Sequence, residues 1–428
     1  MNFKVYGKDN LKIIKGSSAI FTSNHESYFD PFIISSGLSL FSRFHPIHYL
    51  AEESLFDTFW GKLSKLGAPI PGYLKNGVDH ATKEPLKILW KGQSVGIFHE
   101  WCYKTHPLIE RMDKLIILLN QETNKPIIPV YIFGIEGLTW RKIFSRHDKV
   151  LIFYGKTFHI DHKLSEDGKR KQFHGELRRA KIELLDIIDQ EEKKFWANYG
   201  KLYHHIEGVR PYKELMDVFG KNLTTNGEWL DLGSGSGGVV DLLKSKAQGN
   251  NFKIIASDFD PGFIKQLNKR FNEESNIEVR ELNICDKIFF ENSRFDGVTA
   301  NLVLPYIIHY DEEVGIMAFK KIMAEIFRIL KPGGQFIWSS PKKNVKFFKV
   351  FIASREKVFG FDNKEQLFYG PALLKQAMTI QDKGKRNIYH FMETEDLINI
   401  LSETGFQEIK IEKAMAKQIN VINCKKPV

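Results

Sequence analysis

A glycine-rich turn after an apolar segment is the strongest constraint that this 428-residue sequence places on its fold. Residues 229–232 are apolar apart from Asp231, and glycine follows at 233, 235 and 237 before a Val-Val pair. Glycine tolerates the backbone angles of a sharp turn and lets a ligand approach the amides at a helix N-terminus. The pattern therefore predicts a nucleotide-binding turn between a strand and a helix.

A highly charged stretch, 161–194, separates two regions that look alike in their patterning. Its apolar residues Leu177, Ile182, Leu185 and Ile188 recur at near-helical spacing and predict a connecting helix. On both sides of it, short apolar runs alternate with helical segments, at 18–22, 95–98, 127–132, 150–153, 229–232, 254–257, 297–300 and 335–339. We therefore expect two α/β domains, 1–160 and 195–428, each with its own sheet.

Composition indicates where in the cell the chain works and which partners it binds. The longest uncharged stretch, 297–310, is too short for a spanning helix, which needs about 20 apolar residues. Three widely spaced cysteines are too few for a disulfide framework or a cysteine-rich metal site, so we expect no metal and a cytoplasmic location. A net charge of +10 with 13% aromatic residues favours an anionic partner, including the inner face of a membrane. No recognised nucleic-acid motif accompanies the charge, and we expect no nucleic-acid partner.

His25 and Asp30 suggest general-base chemistry in the first half. His25 directly follows an apolar run, and Asp30 comes five residues later. An imidazole that a carboxylate holds is a good base for a hydroxyl or amine that attacks an acyl thioester. The same spacing recurs at His162 and Asp167 inside the charged stretch, where we interpret it as solvated surface.

The surroundings of His25 resemble the first motif of the PlsC-like glycerolphosphate and lysophospholipid acyltransferases. The resemblance implies that His25 and Asp30 are catalytic and that Glu100, in the third motif, either takes part in catalysis or braces the site. It also implies that the acyl donor is acyl-carrier protein or acyl-CoA. The matching segments follow the family's order: Asn-His-x-Ser-x-x-Asp-Pro at 24–31, Leu-Gly-Ala-Pro-Ile-Pro-Gly-Tyr at 66–73, Val-Gly-Ile-Phe-His-Glu at 95–100, Lys-Pro-Ile-Ile-Pro-Val-Tyr at 125–131 and Val-Leu-Ile-Phe-Tyr-Gly-Lys at 150–156.

Two departures from that family concern the acceptor. The arginine of the second motif is Tyr73 here, and Gly-Thr-Arg of the third is Trp101-Cys102-Tyr103, with Lys75 or Lys104 as partial substitutes. In the family these arginines hold the acceptor's phosphate, for which the guanidinium fork is well suited. We therefore expect an acceptor without phosphate, either a lipid or a hydroxyaryl or amine compound.

The glycine turn of the second half also fits the G-x-G-x-x-G pattern of a dinucleotide fold, so the turn alone leaves two classes open. The later segments, in their order and spacing, resemble class I S-adenosylmethionine-dependent methyltransferases, whose fold is a seven-stranded Rossmann-like sheet. These segments are Asn-Ile-Cys-Asp at 283–286, the strand at 295–301, Leu-Lys-Pro-Gly-Gly-Gln-Phe at 330–336 and a hairpin at 408–412 and 418–423. The resemblance implies a set of residues that bind S-adenosylmethionine: Asp231, Gly233, Ser234, Gly235 and Gly237 at the methionine end, Asp258 and Phe259 at the ribose, Asn283 and Ile284 at the adenine, and Asn301.

Together the two resemblances predict a bifunctional enzyme that acylates a lipid or polyketide-type acceptor and methylates a related substrate. One alternative is a methyltransferase whose first half only binds lipid, and another is a lipid-associated protein without catalysis. A base for methyl transfer stays open among Tyr306, His309, His390, His204 and His205. The basic and aromatic segment 341–357 is either an ordinary lid or a lipid-contacting element.

Overall fold

The computed structural model describes residues 2–14, 16, 18–25, 27, 29–39, 41–51, 70–71, 78–101, 109–134, 149–223, 226–247, 252–354 and 364–428. The chain divides into two compact units, Met1–Ile188 and Asp189–Val428. Each unit contains one seven-stranded sheet, which confirms the expectation of an α/β fold with a separate sheet in each half.

The first unit is built on a mostly parallel sheet, and among its described strands only β6 and β7 pair antiparallel. The strand order across the sheet is β1-β7-β6-β2-β5-β3-β4. In chain order the strands are β1 (Asn2–Tyr6), β2 (Ile20–His25), β3 (Ile47–Ala51), β4 (Ile70–Pro71), β5 (Ser94–Trp101), β6 (Ile127–Phe133) and β7 (Lys149–Tyr154).

Helices cover both faces of this sheet. Successive residues of β2, Ile20 and Phe21, are both buried but pack into different apolar clusters, one on each face. This is why the central strands read as continuous apolar runs in the sequence. The helices are α1 (Lys8–Lys12), α2 (Asp30–Gly37), α3 (Val78–Ala81), α4 (Lys83–Trp90) and α5 (Ile109–Thr123).

The long helix α6 (Glu166–Glu207) differs from the connecting helix that the sequence predicts over 161–194. It begins later because Asp161 forms a turn, in which its carboxylate accepts the Lys163 amide, and Ser165 then accepts the Gly168 amide as a helix cap. It also continues beyond residue 194, since no proline or glycine-rich turn interrupts the chain before Glu207. The division between the two units falls within this helix.

The second unit contains the predicted seven-stranded sheet. Its order is β10-β9-β8-β11-β14-β16-β15, with β16 antiparallel to both of its neighbours. A separate two-stranded ribbon consists of β12 and β13. The strands are β8 (Gly227–Leu232), β9 (Phe252–Asp258), β10 (Ile277–Glu281), β11 (Phe295–Asn301), β12 (His309–Tyr310), β13 (Glu313–Val314), β14 (Leu330–Pro341), β15 (Gln407–Ala414) and β16 (Ile419–Lys425).

This sheet is also covered on both faces, because Trp229 and Leu230, neighbours on β8, belong to two different buried clusters. A short 3-10 turn, Leu304–Tyr306, follows β11. No helix in the described part of the chain is long and apolar enough to cross a membrane. The helices of the unit are α7 (Arg210–Lys221), α8 (Gly238–Lys246), α9 (Pro261–Phe271), α10 (Gly315–Ile329), α11 (Phe347–Ala353), α12 (Lys364–Lys385) and α13 (Thr394–Thr404).

Candidate functional site

In the first unit, the turn between β2 and α2 brings His25 and Asp30 into contact. β2 ends at His25 and α2 begins at Asp30, and the His25 Nδ1 to Asp30 Oδ2 distance is 2.8 Å. The Asp30 side chain is fully buried. Its two oxygens also accept the Ser27 hydroxyl at 2.6 Å and the Ser27 amide at 3.0 Å. The carboxylate is thus held by three donors and has little freedom to turn away from the imidazole.

The His25 ring is fixed on its other side by packing. It stacks on Phe98 of β5, with 4.2 Å between the ring centroids, and its side chain is 14% exposed. A carboxylate at Nδ1 selects the tautomer with its proton on Nδ1, which leaves the basic lone pair on Nε2. This oriented, slightly exposed imidazole has the form of a general base.

Strand pairing brings Glu100, the third residue predicted for the acyltransferase site, next to His25 and Asp30. In the register of β2 with β5, Glu100 lies opposite Asn24, and Trp101 lies opposite His25. The Asn24 side chain bonds to both the amide and the carbonyl of Ile132, each at 2.9 Å, and so fixes the end of β2 to β6. The side chain of Glu100, and residues Tyr73, Lys75 and 102–104, lie outside the residues whose side chains the structure describes.

Ser27, Asn24 and Phe98 are positioning residues that the sequence analysis does not assign. Ser27 stands three residues before Asp30, which is the ordinary spacing of a hydroxyl that bonds to a helix-terminal carboxylate, so its signal was present in the motif. The second His-Asp spacing is surface, as expected. His162 and Asp167 are exposed, and Asp167 pairs with Lys171 at 2.7 Å.

In the second unit, polar side chains meet where β8, β9 and β11 end. Between β8 and α8 the backbone turns through three glycines with positive φ, of 66° at Gly233, 54° at Gly235 and 93° at Gly237. A Cβ at Gly233 would lie 2.5 Å from Val303, whereas a Cβ at Gly235 would meet nothing within 4 Å. Gly233 therefore allows close packing, and Gly235 leaves open space in front of the turn.

Asp231 is buried directly behind this turn. Its Oδ1 accepts the Thr299 hydroxyl at 2.7 Å, while Oδ2 has no hydrogen-bond partner among the described residues. Burial raises the pKa of Asp231 to about 7, against the lowering effect of hydrogen bonds from Thr299 and Ser234. A buried carboxylate with an unused oxygen suits a cationic group such as the ammonium of a methionine moiety.

Asp258, at the end of β9, faces the same turn. Its Oδ2 accepts the Gly235 amide at 2.9 Å, and Oδ1 accepts the Asp260 amide at the same distance. Burial raises the pKa of this carboxyl, although the backbone hydrogen bonds oppose the shift. The amides leave further lone pairs on both oxygens, and these fit a pair of ribose hydroxyls.

The ends of β8, β9 and β11 and the glycine turn surround a cavity of about 180 Å³, which most of the residues predicted to bind the cofactor line. Two predicted residues do not line it: Asp231 lies behind the turn, and Gly237 is the cap of α8, where a Cβ would lie 2.8 Å from Phe271. The sequence names Tyr306 of this wall only as a candidate base, and it predicts none of four other aromatic wall residues: Trp196, Tyr199, Tyr212 and Phe263. The other predicted residues do line the cavity: Gly233, Ser234, Gly235, Asp258, Phe259, Asn283, Ile284 and Asn301.

The candidates for a base differ in their surroundings. Burial raises the pKa of Tyr306 well above its ordinary value, so its phenol stays protonated. Burial lowers the pKa of His390 to about 4 and keeps it neutral. His309 Nε2 lies 2.7 Å from Asp189. The side chains of His204 and His205 lie outside the described residues.

A second cavity, of about 120 Å³, opens beside the first and has an apolar wall. Residues of α11 and α12 form much of this wall, among them Phe347, Val350, Phe351, Leu374 and Ala377. Five residues line both cavities: Tyr199, Tyr212, Leu302, Tyr306 and Ile380. The two spaces are therefore neighbours across a thin, largely aromatic partition.

Comparison with known proteins identifies both units. Residues 2–132 match the acyltransferase family, and residues 230–338 match the methyltransferase-domain family.

Three curated relatives of this chain are methyltransferases. The sterol 4-C-methyltransferase strm-1 of Caenorhabditis elegans is 34% identical over 116 residues, which are 27% of this chain and only 31% of that protein. The ubiquinone/menaquinone biosynthesis C-methyltransferase UbiE of Rickettsia typhi is 31% identical over 43% of this chain and 70% of its own length. The mitochondrial 2-methoxy-6-polyprenyl-1,4-benzoquinol methylase of Caenorhabditis elegans is 22% identical over 59% of this chain and 84% of its own.

The chain belongs to the S-adenosylmethionine-dependent methyltransferases through its second unit. Its first unit is a PlsC-like acyltransferase domain, so the chain is an enzyme with two transferase domains and uses S-adenosylmethionine as a cofactor. The residues around the cavity fit this cofactor, given the two oxygens of Asp258 beside the glycine turn and the open space in front of Gly235.

Proposed function

We propose that the chain is a bifunctional transferase that acylates and C-methylates an apolar, lipid- or polyketide-type acceptor. The observation that carries this proposal is the apolar cavity beside the cofactor site, which shares Tyr199 and Tyr306 with it. An apolar cavity of this kind suits an acceptor whose ring or hydrocarbon chain carries few polar groups. The acceptor of the first domain is then a related molecule without phosphate, which agrees with Tyr73 in place of the expected arginine.

In the acyl transfer, His25 acts as the base. Its Nε2 removes the proton from the acceptor's hydroxyl or amine as the oxygen or nitrogen attacks the thioester carbonyl of acyl-carrier protein or acyl-CoA. The carbon–sulfur bond then breaks, and the thiolate leaves with the proton that the imidazolium returns. Asp30 stabilises the imidazolium from a distance of 2.8 Å, while Ser27 holds Asp30 in place.

In the methyl transfer, S-adenosylmethionine supplies a methyl group already activated on sulfur. The chain's own contribution is to hold the reactants in line and to exclude water. Asp231, Asp258 and the glycine turn hold the cofactor, and the aromatic partition directs the acceptor. Carbon as the methylated atom is supported by the relatives, three of which are described as C-methyltransferases or as a methylase of a benzoquinol.

We also propose that α11 contacts an anionic membrane surface, from which the acceptor enters. Phe348 and Ile352 of this helix are 54% and 47% exposed, while Val350 lines the apolar cavity. Burial and the charges of Lys349, Lys413 and Lys346 lower the pKa of Lys342, which indicates a cluster of positive charge beside the exposed apolar residues. Apolar side chains next to lysines favour a lipid interface.

The test is mass spectrometry of lipid extracts from cells that carry wild-type protein, His25→Ala or Asp258→Ala. We expect His25→Ala to accumulate a species that lacks one acyl chain, and Asp258→Ala to accumulate one that lacks one methyl group. His162→Ala is the matched control, since its histidine has the same spacing to an aspartate but is exposed. Unchanged lipids in His25→Ala, with the protein stably expressed, would favour the alternative of a methyltransferase whose first domain only binds lipid.

A further inference from the structure

Three metal-binding side chains converge on the wall of the cofactor cavity. Asp189, Cys285 and His309 each offer one donor atom, and these atoms all lie within 4.8 Å of one another. Asp189 and Cys285 line the cavity, and His309 is buried behind them. In the part of the chain that the structure describes, this is the one such group of three His, Cys, Asp or Glu residues.

The three donors come from separate elements that fix them independently. Asp189 is on α6, His309 is in β12, and Cys285 follows β10. The Cys285 amide donates to the Asn283 side chain at 3.1 Å, and its carbonyl accepts the Asp311 amide at 3.4 Å. The cysteine backbone is therefore anchored on both sides, and the convergence does not depend on a single mobile loop.

We propose that Asp189, Cys285 and His309 bind a divalent transition-metal ion of the zinc type. Sulfur, nitrogen and carboxylate oxygen are the donors that zinc takes in proteins. One thiolate, one carboxylate and a neutral imidazole bring two negative charges, which balance the charge of the divalent ion. The thiol gives its proton to solvent as the metal–sulfur bond forms.

The geometry requires only a small adjustment. Metal bonds of about 2.0–2.3 Å in a tetrahedron place ligand atoms roughly 3.3–3.7 Å apart. The Asp189–His309 hydrogen bond, at 2.7 Å, opens slightly as the ion takes the place of its proton, and Cys285 Sγ moves inward. Three protein ligands leave a fourth position, which faces the cavity because Asp189 and Cys285 line it.

The site lies next to residues that we assign to the cofactor and the acceptor. Asn283 and Ile284 directly precede Cys285, and Ile307 and Ile308, which line the cavity, directly precede His309. An ion here ties α6 to the segment after β10 and places a water or a substrate oxygen at the cavity wall. This inference concerns metal binding and stands apart from the identity of the acceptor.

The experiment is a Co²⁺ titration of the full-length protein after treatment with a chelator. We expect one equivalent to bind and to produce a near-ultraviolet thiolate-to-cobalt band, with Zn²⁺ displacing the cobalt. Cys285→Ser should lose the band, and Asp189→Asn and His309→Gln should weaken Co²⁺ binding at least tenfold.

Cys424→Ser is the matched control, because Cys424 is a buried cysteine of β16 whose thiol contacts the Phe336 carbonyl. It should keep both the band and the affinity. Thermal unfolding of each variant checks that it folds. If Cys285→Ser does not fold, Asp189→Asn, which preserves the shape of the side chain, serves as the test instead. Absence of a thiolate band in wild type, or a band that survives Cys285→Ser, would overturn the proposal. Neither result depends on methyl transfer, so failure here and failure of the proposed function are distinguishable.

Discussion

At the scale of single residues, the buried carboxyl group of Asp231 is expected to make the stability of the second unit depend on pH. Burial raises its pKa from 3.8 to about 7, so between these values the folded protein binds more protons than the unfolded chain. Its contribution to stability is fully present below about pH 4 and is lost as the pH rises through about 7. The unfolding free energy of the cofactor-free second unit should therefore fall over this range by about 2–4 kcal/mol.

Thermal unfolding of wild type and Asp231→Asn between pH 4 and 8, with and without S-adenosylmethionine, checks this prediction. The variant should show a flatter profile, because an amide does not ionise. In wild type, cofactor affinity should increase as the pH rises towards 7, since the ionised carboxylate attracts the ammonium. Identical profiles for the two proteins would contradict the assignment.

Ser27 should matter to acyl transfer although it touches no reacting atom. Ser27→Ala removes the 2.6 Å hydrogen bond to Asp30 and keeps the amide bond at 3.0 Å. A hydrogen bond to a charged group contributes about 1.5–3 kcal/mol, so we expect a loss of roughly tenfold or more in kcat with little change in KM.

The measurement is the rate of acyl transfer as a function of pH. A looser Asp30 stabilises the imidazolium that forms during acyl transfer less well, so kcat should be lower in the variant at every pH of the profile. Ser36→Ala is the control, because Ser36 is an exposed residue of α2 whose hydroxyl donates to the Ile33 carbonyl of its own helix. Equal loss in both variants would mean that Ser27 acts only through the stability of the turn.

At the scale of the elements, α11 is predicted to control membrane attachment. Phe348→Ser with Ile352→Ser should weaken binding to vesicles that contain anionic lipid by about tenfold, because two exposed apolar side chains no longer enter the interface. Co-sedimentation with vesicles measures the effect, and added salt should weaken binding further by screening the lysines.

Phe289→Ser provides the comparison, since Phe289 is 84% exposed but lies away from the lysine cluster, after β10. It should leave vesicle binding unchanged. If wild type binds neutral and anionic vesicles equally weakly, α11 is only a lid over the apolar cavity.

The elements also show how far the sequence predicts this fold. The eight apolar runs all lie in or overlap central strands, because two covered faces demand uninterrupted apolar residues. The sequence does not reveal β1 or β3. Lys4 in β1 and His48 in β3 interrupt their apolar character, and these strands depend on pairing with distant partners in β7 and β5.

Dependence on distant partners also limits how much of the two candidate sites the sequence predicts. The sequence predicts His25, Asp30 and the glycine turn because their residues are close in sequence and their chemistry demands that spacing. The sequence does not predict Thr299 or the aromatic partition, of which it names only Tyr306, as a candidate base. Thr299 reaches Asp231 only through the register of β11 with β8, and Trp196 reaches the cavity only because α6 continues past residue 194. Contacts that depend on register or on helix length have no local signature.

At the scale of the whole molecule, we expect the two neighbouring cavities to separate cofactor binding from acceptor binding. Ala377 of α12 lines only the apolar cavity, so Ala377→Phe should fill it. We expect methyl transfer to fall at least tenfold while the Kd for S-adenosylmethionine stays within twofold, because the glycine turn and Asp258 are untouched.

Calorimetric titration of the cofactor, alongside a methyl-transfer assay, checks both parts. Ala372→Phe makes the same change at an exposed position of the same helix and should affect neither quantity. Loss of cofactor binding in Ala377→Phe would show that the two spaces act as one site.

The position of β16 has a consequence for the order in which the molecule can assemble. This strand is the last of its sheet to be synthesised, yet it lies between β14 and β15 and pairs with both. The first sheet is complete once β7 has left the ribosome, so the acyltransferase domain can fold during translation. The methyltransferase sheet must wait for Ile419–Lys425, and until then Phe336 and Trp338 of β14 lack the neighbouring strand. Premature termination before residue 419 should therefore leave a folded first domain attached to an aggregation-prone second one.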